Sequence, residues 1–260
     1  MLKNLFKYDF KWINKVMLVY YIILFITAVL VTIIENMEQT FFLVIVDKIL
    51  SGYLIGCSIG AFITCLMRIW VRYNSSFYKD ESYLTHTLPA TKNELFNSKI
   101  LASTLSLIIT LFFIACCFLF SYLLIAKGAL LDFYNGAVAA IGKGNTILFI
   151  VGGVILILLE ALFMMMSGLF GLTIGNRSNN NKMLKSIIYA FASYVLFNIF
   201  TFIIIKLLDI FTSFDLSSKV IPSIGIIKML GITAIGLYII YNFIYYIVSK
   251  RLLNKGVNVD

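Results

Sequence analysis

Glu160 lies between Ile155-Leu156-Ile157-Leu158-Leu159 and Ala161-Leu162-Phe163, a carboxylate in the middle of a long apolar run. A charge at that depth in hydrocarbon is costly, so it must be paired, protonated or turned to a wet cavity. Two readings follow: a working group on a substrate path or switch, or a structural hydrogen bond to Asn198 or Asn242 of later apolar runs. His86 is the one histidine, which excludes His-Glu-x-x-His zinc chemistry and leaves no Ser-His-acid set. Gly136 to Lys143 imitates a phosphate-cradling loop, but five residues separate Gly136 from Gly142 where that loop needs four, and Gly144 stands where Ser or Thr would hold magnesium. Cys57, Cys65, Cys116 and Cys117 fall inside apolar runs, where a thiol is a small hydrophobe, and show no disulfide or metal-ligand spacing. The expectation is a protein that is not an enzyme, with no catalytic residue, metal or cofactor of its own.

The elements that carry these residues are set by composition. Of 260 residues, 61% are hydrophobic and 13% charged, against about half and about a quarter in soluble domains. Such a chain is read in spans of about 20 apolar residues, and six fit: Val16 to Ile34, Ile49 to Trp70, Ile100 to Ala126, Thr146 to Ile174, Ile187 to Leu208 and Ser223 to Val248. The first is too long for a secretory signal core and lacks a small-residue cleavage pattern, so it reads as a retained span. Ahead of it, Leu2, Leu5, Phe6, Phe10 and Ile13 share one helical face and Lys3, Lys7, Lys11 and Lys15 another. That pattern suits either an interfacial helix over residues 1–15 or a plain positive flank.

The net charge of +9 is dispersed around the spans rather than gathered into a basic domain, so it reads as topology and not as nucleic-acid binding. Of the 21 Lys and Arg, only Lys48, Lys127, Lys143, Lys206, Lys219 and Lys228 fall on one side of six spans. The positive-inside rule then puts both termini and residues 71–99 in the cytoplasm. The predicted fold class is all-α: a polytopic membrane protein with six transmembrane helices, an N-terminal interfacial helix and both termini cytoplasmic, in a single transmembrane domain over residues 1–260.

Within the spans, Gly52, Gly56 and Gly60 repeat a small-xxx-small pattern that lets another helix approach, in the same chain or a second one, with a glycine hinge as the alternative. Gly171 and Gly175 repeat it more weakly. The fourth span exceeds a hydrocarbon core in length, so it must tilt, project or bend, and Gly152-Gly153 is the expected bend. Met164-Met165-Met166 suits adaptable packing, and the Tyr238, Tyr241, Tyr245 face either packs against neighbours and the inner headgroup belt or lines a cavity. The apolar residues of Asp209 to Pro222 suggest a short interfacial helix.

Asp80 to Lys99 is the long polar interruption. Pro89 disfavours helix at Leu88, so a helical piece before it ends there. Thr91 and Glu94 fit a capping box that starts a second helix near Lys92, running through Lys99 into the third span. Tyr78, Tyr83 and Leu84 among Lys79, Asp80 and Glu81 make the first piece amphipathic, suited to a protein groove.

An acidic residue, the run Tyr83-Leu84-Thr85-His86-Thr87-Leu88-Pro89 and a capped helix with Glu94-Leu95 ending at Lys99 resemble the cytoplasmic signature of type 2 ATP-binding-cassette (ABC) permeases of Gram-positive bacteria. About twenty residues carry the resemblance; the rest of the chain is similar in layout. Many members have Gly at Ser82 and an aromatic at His86. The resemblance implies that Glu81, Tyr83, Leu84, Thr87, Leu88 and Pro89 couple the chain to two separate ATPase subunits holding ATP and magnesium. It also implies a second permease copy or paralogue, with Gly52, Gly56 and Gly60 near the pathway. The expected role is export of hydrophobic or amphipathic substrates such as antimicrobial peptides across a bacterial cell membrane, in contact with its lipids. The alternatives are a proton-coupled carrier using Glu160 and a non-transporting immunity or sensor protein.

Overall fold

Apolar runs fold as helices because lipid offers no partner to an open N–H or C=O, so each backbone group must be satisfied within its own segment. The computed structural model describes residues 2–38, 40–79, 81–87, 90–125, 129–178, 180–212 and 224–255. Its elements are α1 (Leu2–Glu35), α2 (Phe41–Tyr78), α3 (Ser82–Thr87), α4 (Lys92–Ile125), α5 (Ala129–Ile141), α6 (Lys143–Gly175), α7 (Lys182–Thr212) and α8 (Ile224–Asn254). Six of them, α1, α2, α4, α6, α7 and α8, are long and apolar enough to cross a membrane. The described residues are all-helical, as composition requires, and their six long apolar helices are compatible with a multi-pass membrane protein.

The helices run beyond the expected spans at most ends, and they depart from the expected layout in three ways. Residues 1–15 are not a separate helix: α1 runs unbroken from Leu2 to Glu35. Between the third and fourth spans the chain forms α5, whose 13 residues are too few to span a membrane and so escape a search for spans. A break before α6 falls at Gly142, whose φ of 82° favours glycine. The expected interfacial helix within Asp209 to Pro222 lies largely outside the described residues.

The chain divides into two compact units: Met1–Tyr73 with Pro89–Ala140, and Asn74–Leu88 with Ile141–Asp260. In the first, α1 packs along α4. Buried Ser98, Ala102, Ser106 and Thr110 recur every fourth residue down α4 with Ser103 beside them, so the contact is lined by small side chains that let backbones approach. Hydroxyls and amides then join the helices: Asn14 Nδ2 donates to Ser106 Oγ at 2.7 Å, and Tyr21 Oη and Thr110 Oγ1 share a hydrogen at 2.8 Å. Helix α2 meets its neighbours through side chains, among them Thr110 to Cys65 Sγ and the edge contact of Tyr73 with Phe96.

In the second unit α6 is central, packed against both α7 and α8. Its close approach to α7 occurs at Gly171 and Gly175. A Cβ on Gly171 would stand 2.5 Å from Cβ of Ala190, and one on Gly175 would collide with Ser186. Around Gly52, Gly56 and Gly60 no other atom of the described chain lies within 4 Å of such a Cβ. The more weakly patterned pair is therefore the one that packs within the chain.

Candidate functional site

Three constellations of polar side chains bear on function. The first surrounds Glu160, in the second unit. The carboxylate does not meet Asn198 or Asn242, the partners expected from sequence. Tyr194 Oη donates to Glu160 Oε1 at 2.9 Å, and Tyr238 acts on the same carboxylate. Asn198 Nδ2 instead donates to the Tyr194 carbonyl at 2.9 Å, one turn back on its own helix. Asn242 Nδ2 donates to the Tyr238 carbonyl at 2.9 Å and across to Leu159 at 3.3 Å, which leaves its Oδ1 buried without a donor.

Below Glu160 a stack of rings fills the interior of α6, α7 and α8. Phe163, 1% exposed, touches Tyr194, Phe197, Tyr238, Tyr241 and Tyr245, with centroid separations of 5.3 to 6.1 Å. Each such pair contributes on the order of 1 kcal/mol beyond its area. Thr201 Oγ1 donates to Tyr241 Oη at 3.2 Å, whereas Ser249 Oγ is buried with no hydrogen-bond partner among the described residues. The face containing Tyr238, Tyr241 and Tyr245 is thus turned inward. Met165 and Met166 are buried beside it as packing.

The second constellation lies in the first unit and was not singled out from sequence. Asp9, 3% exposed, receives Arg72 Nε at 2.7 Å and Lys99 Nζ at 3.2 Å. One carboxylate of α1 so ties together α2 and α4. Beside it, the Arg68 guanidinium sits 3.6 Å from the centroid of the Trp12 ring and donates from Nη2 to the Trp12 carbonyl at 2.8 Å. The lysines of α1 obscured this in the sequence: Asp9 reads there as one acid diluted among four bases, and only the fold brings Arg72 and Lys99 to it.

The third is the polar interruption. Helix α3 is held by short local bonds: the Ser82 N–H donates to the Lys79 carbonyl at 2.7 Å, and both the N–H and hydroxyl of Thr85 donate to the Glu81 carbonyl. Ser82 and Thr85 are buried, while Tyr83 is 76% and Leu84 67% exposed. Thr87 closes the helix with a hydroxyl bond to the Leu84 carbonyl at 3.0 Å. Asp80, Leu88, Pro89 and the side chain of His86 lie outside the described residues.

Thr91 and Glu94 form a reciprocal cap on α4. The Thr91 N–H and hydroxyl donate to Glu94 Oε2 at 2.9 and 3.0 Å, and Thr91 Oγ1 accepts the Glu94 N–H at 3.3 Å. Glu94 precedes the apolar stretch of α4. The Thr91 backbone N–H, and then its hydroxyl, hold this carboxyl below the usual range by stabilising its charged form.

No family model, curated protein or solved structure matches the chain.

Proposed function

We propose that the chain is the permease subunit of an ABC transporter, moving hydrophobic or amphipathic substrates such as peptides outward under the drive of two separate ATPase subunits. The observation that carries this reading is α3, a helix of six residues that falls in the chain between two long apolar helices and presents Tyr83 and Leu84 to solvent. Two large apolar side chains left exposed in a polar segment are suited to insertion in a groove on another protein. The capping box on α4 gives the segment a defined end where the next span begins. With no phosphate-cradling loop in its own sequence, the chain would draw energy from a partner that holds ATP and magnesium.

On this reading Glu81, Tyr83, Leu84, Thr87, Leu88 and Pro89 are the coupling element, residues 71–99 and both termini face the cytoplasm, and the protein resides in a bacterial plasma membrane. The open faces of Gly52, Gly56 and Gly60 would be available to a second permease copy or paralogue. Co-purification with candidate ATPases tests the idea. Wild type should carry an ATPase through size exclusion and stimulate its turnover, and Leu84→Asp with Glu81→Lys should abolish both. If no ATPase binds, or if that variant couples as well as wild type, the proposal fails.

The bond from Tyr194 to Glu160 favours one other reading, a proton-coupled carrier in which this carboxylate loads and releases a proton. Transport that persists without ATP, collapses with the proton gradient and is lost in Glu160→Gln would select it.

A further inference from the structure

We propose that Arg68, seated on Trp12, forms the floor of a site for the phosphate of an anionic phospholipid headgroup, with Lys15 and Tyr8 as its walls. Depth is the first argument. Arg68 lies at the end of the apolar stretch of α2, and Trp12 lies one turn before Val16, where the apolar stretch of α1 starts. Both therefore sit at the level where a leaflet's headgroups begin, the zone in which tryptophan and tyrosine are enriched.

Charge is the second. Asp9 is engaged by Arg72 and Lys99. Arg68 is met by no carboxylate among the described residues: its Nη2 has a carbonyl, its face has an indole, and its Nε is buried with no acceptor. Neither the carbonyl nor the ring cancels its charge. Arg72, held by Asp9, lies 5.4 Å from the centroid of the same indole. With Nε closed off, the two Nη groups remain in one plane, the geometry that phosphate oxygens take in pairs.

The surroundings are the third. Tyr8 precedes Trp12 by four residues and Lys15 follows it by three, so both border Trp12 on its own helix face. Tyr8 is 71% exposed and Lys15 is exposed. A headgroup lying against Trp12 would thus meet a planar donor below, an ammonium on one side and a phenol on the other, while its acyl chains follow the apolar faces of α1 and α2. This site differs in kind from diffuse attraction to the lysines of α1, because it depends on one arginine that cannot move off its ring without losing the Trp12 carbonyl.

Native mass spectrometry of the full-length protein in detergent tests this, with equal amounts of phosphatidylglycerol and phosphatidylcholine offered in competition. Wild type should retain phosphatidylglycerol preferentially. Arg68→Gln and Lys15→Gln should each lower that preference by about fivefold, whereas Lys3→Gln, two turns or more from Trp12, should leave it nearly unchanged. Lys15 is on the surface, so its variant tests the site even if Arg68→Gln fails to fold. Equal retention of the two lipids in wild type overturns the proposal, as does full preference in Lys15→Gln or a loss in Lys3→Gln as large as in Lys15→Gln. A fourth arm adds millimolar soluble glycerol phosphate: lipid should stay bound, and its displacement would assign the site to a free phosphate ester instead.

Discussion

Asp9 is the residue on which the first unit's polar packing converges, because two cations from different helices share its two oxygens in a place closed to water. Removing one member of a buried charge set costs far more than the set itself contributes, since the remaining charges lose their partner without regaining water. Asp9→Asn should therefore destabilise the protein by about 3 kcal/mol or more in thermal unfolding, and Asp9→Glu by much less. Glu160 stands in the opposite situation, facing neutral hydroxyls rather than cations. A double-mutant cycle of Tyr194→Phe and Glu160→Gln should return a coupling of only about 0.6 kcal/mol, the usual size for a hydrogen bond between membrane helices. A coupling several times larger would show that the carboxylate is ionised and depends on Tyr194 for its charge. Of these two acids the sequence showed depth only for Glu160, whose apolar flanks announce it. Its partners could not be read, because Tyr194 and Tyr238 looked like two more aromatics in aromatic-rich spans.

Helix α4 shows how local signals set an element's beginning while packing sets its face. The start at Lys92 follows from Thr91 and Glu94 alone, two residues whose spacing fixes the bonds that they make. Thr91→Val should loosen the first turn, visible at pH 7 as increased mobility of a spin label at Lys92. The pH dependence has a definite sign. Because the Glu94 carboxyl titrates below its ordinary value in the folded protein, its contribution is complete at neutral pH and fades as acid carries it through that lowered value. Wild type should thus approach the mobility of Thr91→Val only in strong acid, and the variant should change little. Helix α5 is the counterexample. Ala129–Ile141 is helical through Gly136, yet its length places it below any span threshold, and Gly142, with its positive φ, marks it off from α6. The start of α1 was likewise ambiguous: a lysine-bearing amphipathic stretch ahead of a span can turn along the interface or continue into it, and the choice made here pairs Asp9 with Arg72 and Lys99.

At the scale of the whole molecule, the count of six long apolar helices was legible from composition because lipid permits so few alternatives. Which helices touch was not, since small-xxx-small patterns look alike whether the neighbour lies in the same chain or in another. The two glycine sets now separate these cases by a single comparison. At Gly171 the backbone and side chain of Ala190 and the Ser186 carbonyl stand within 2.6 Å of where a Cβ would be, so any side chain must push α7 away from α6. Gly171→Leu should lower stability by about 2 kcal/mol or more, the scale of an overpacked interior, and do so at any protein concentration. Around Gly56 there is open space, so Gly56→Leu should leave the chain's thermal unfolding nearly unchanged. If the Gly52, Gly56, Gly60 face receives a second copy, that same variant should abolish energy transfer between two labelled chains in one nanodisc, where wild type transfers efficiently. Transfer that survives Gly56→Leu would place any subunit contact elsewhere and leave the glycine stripe of α2 lining lipid.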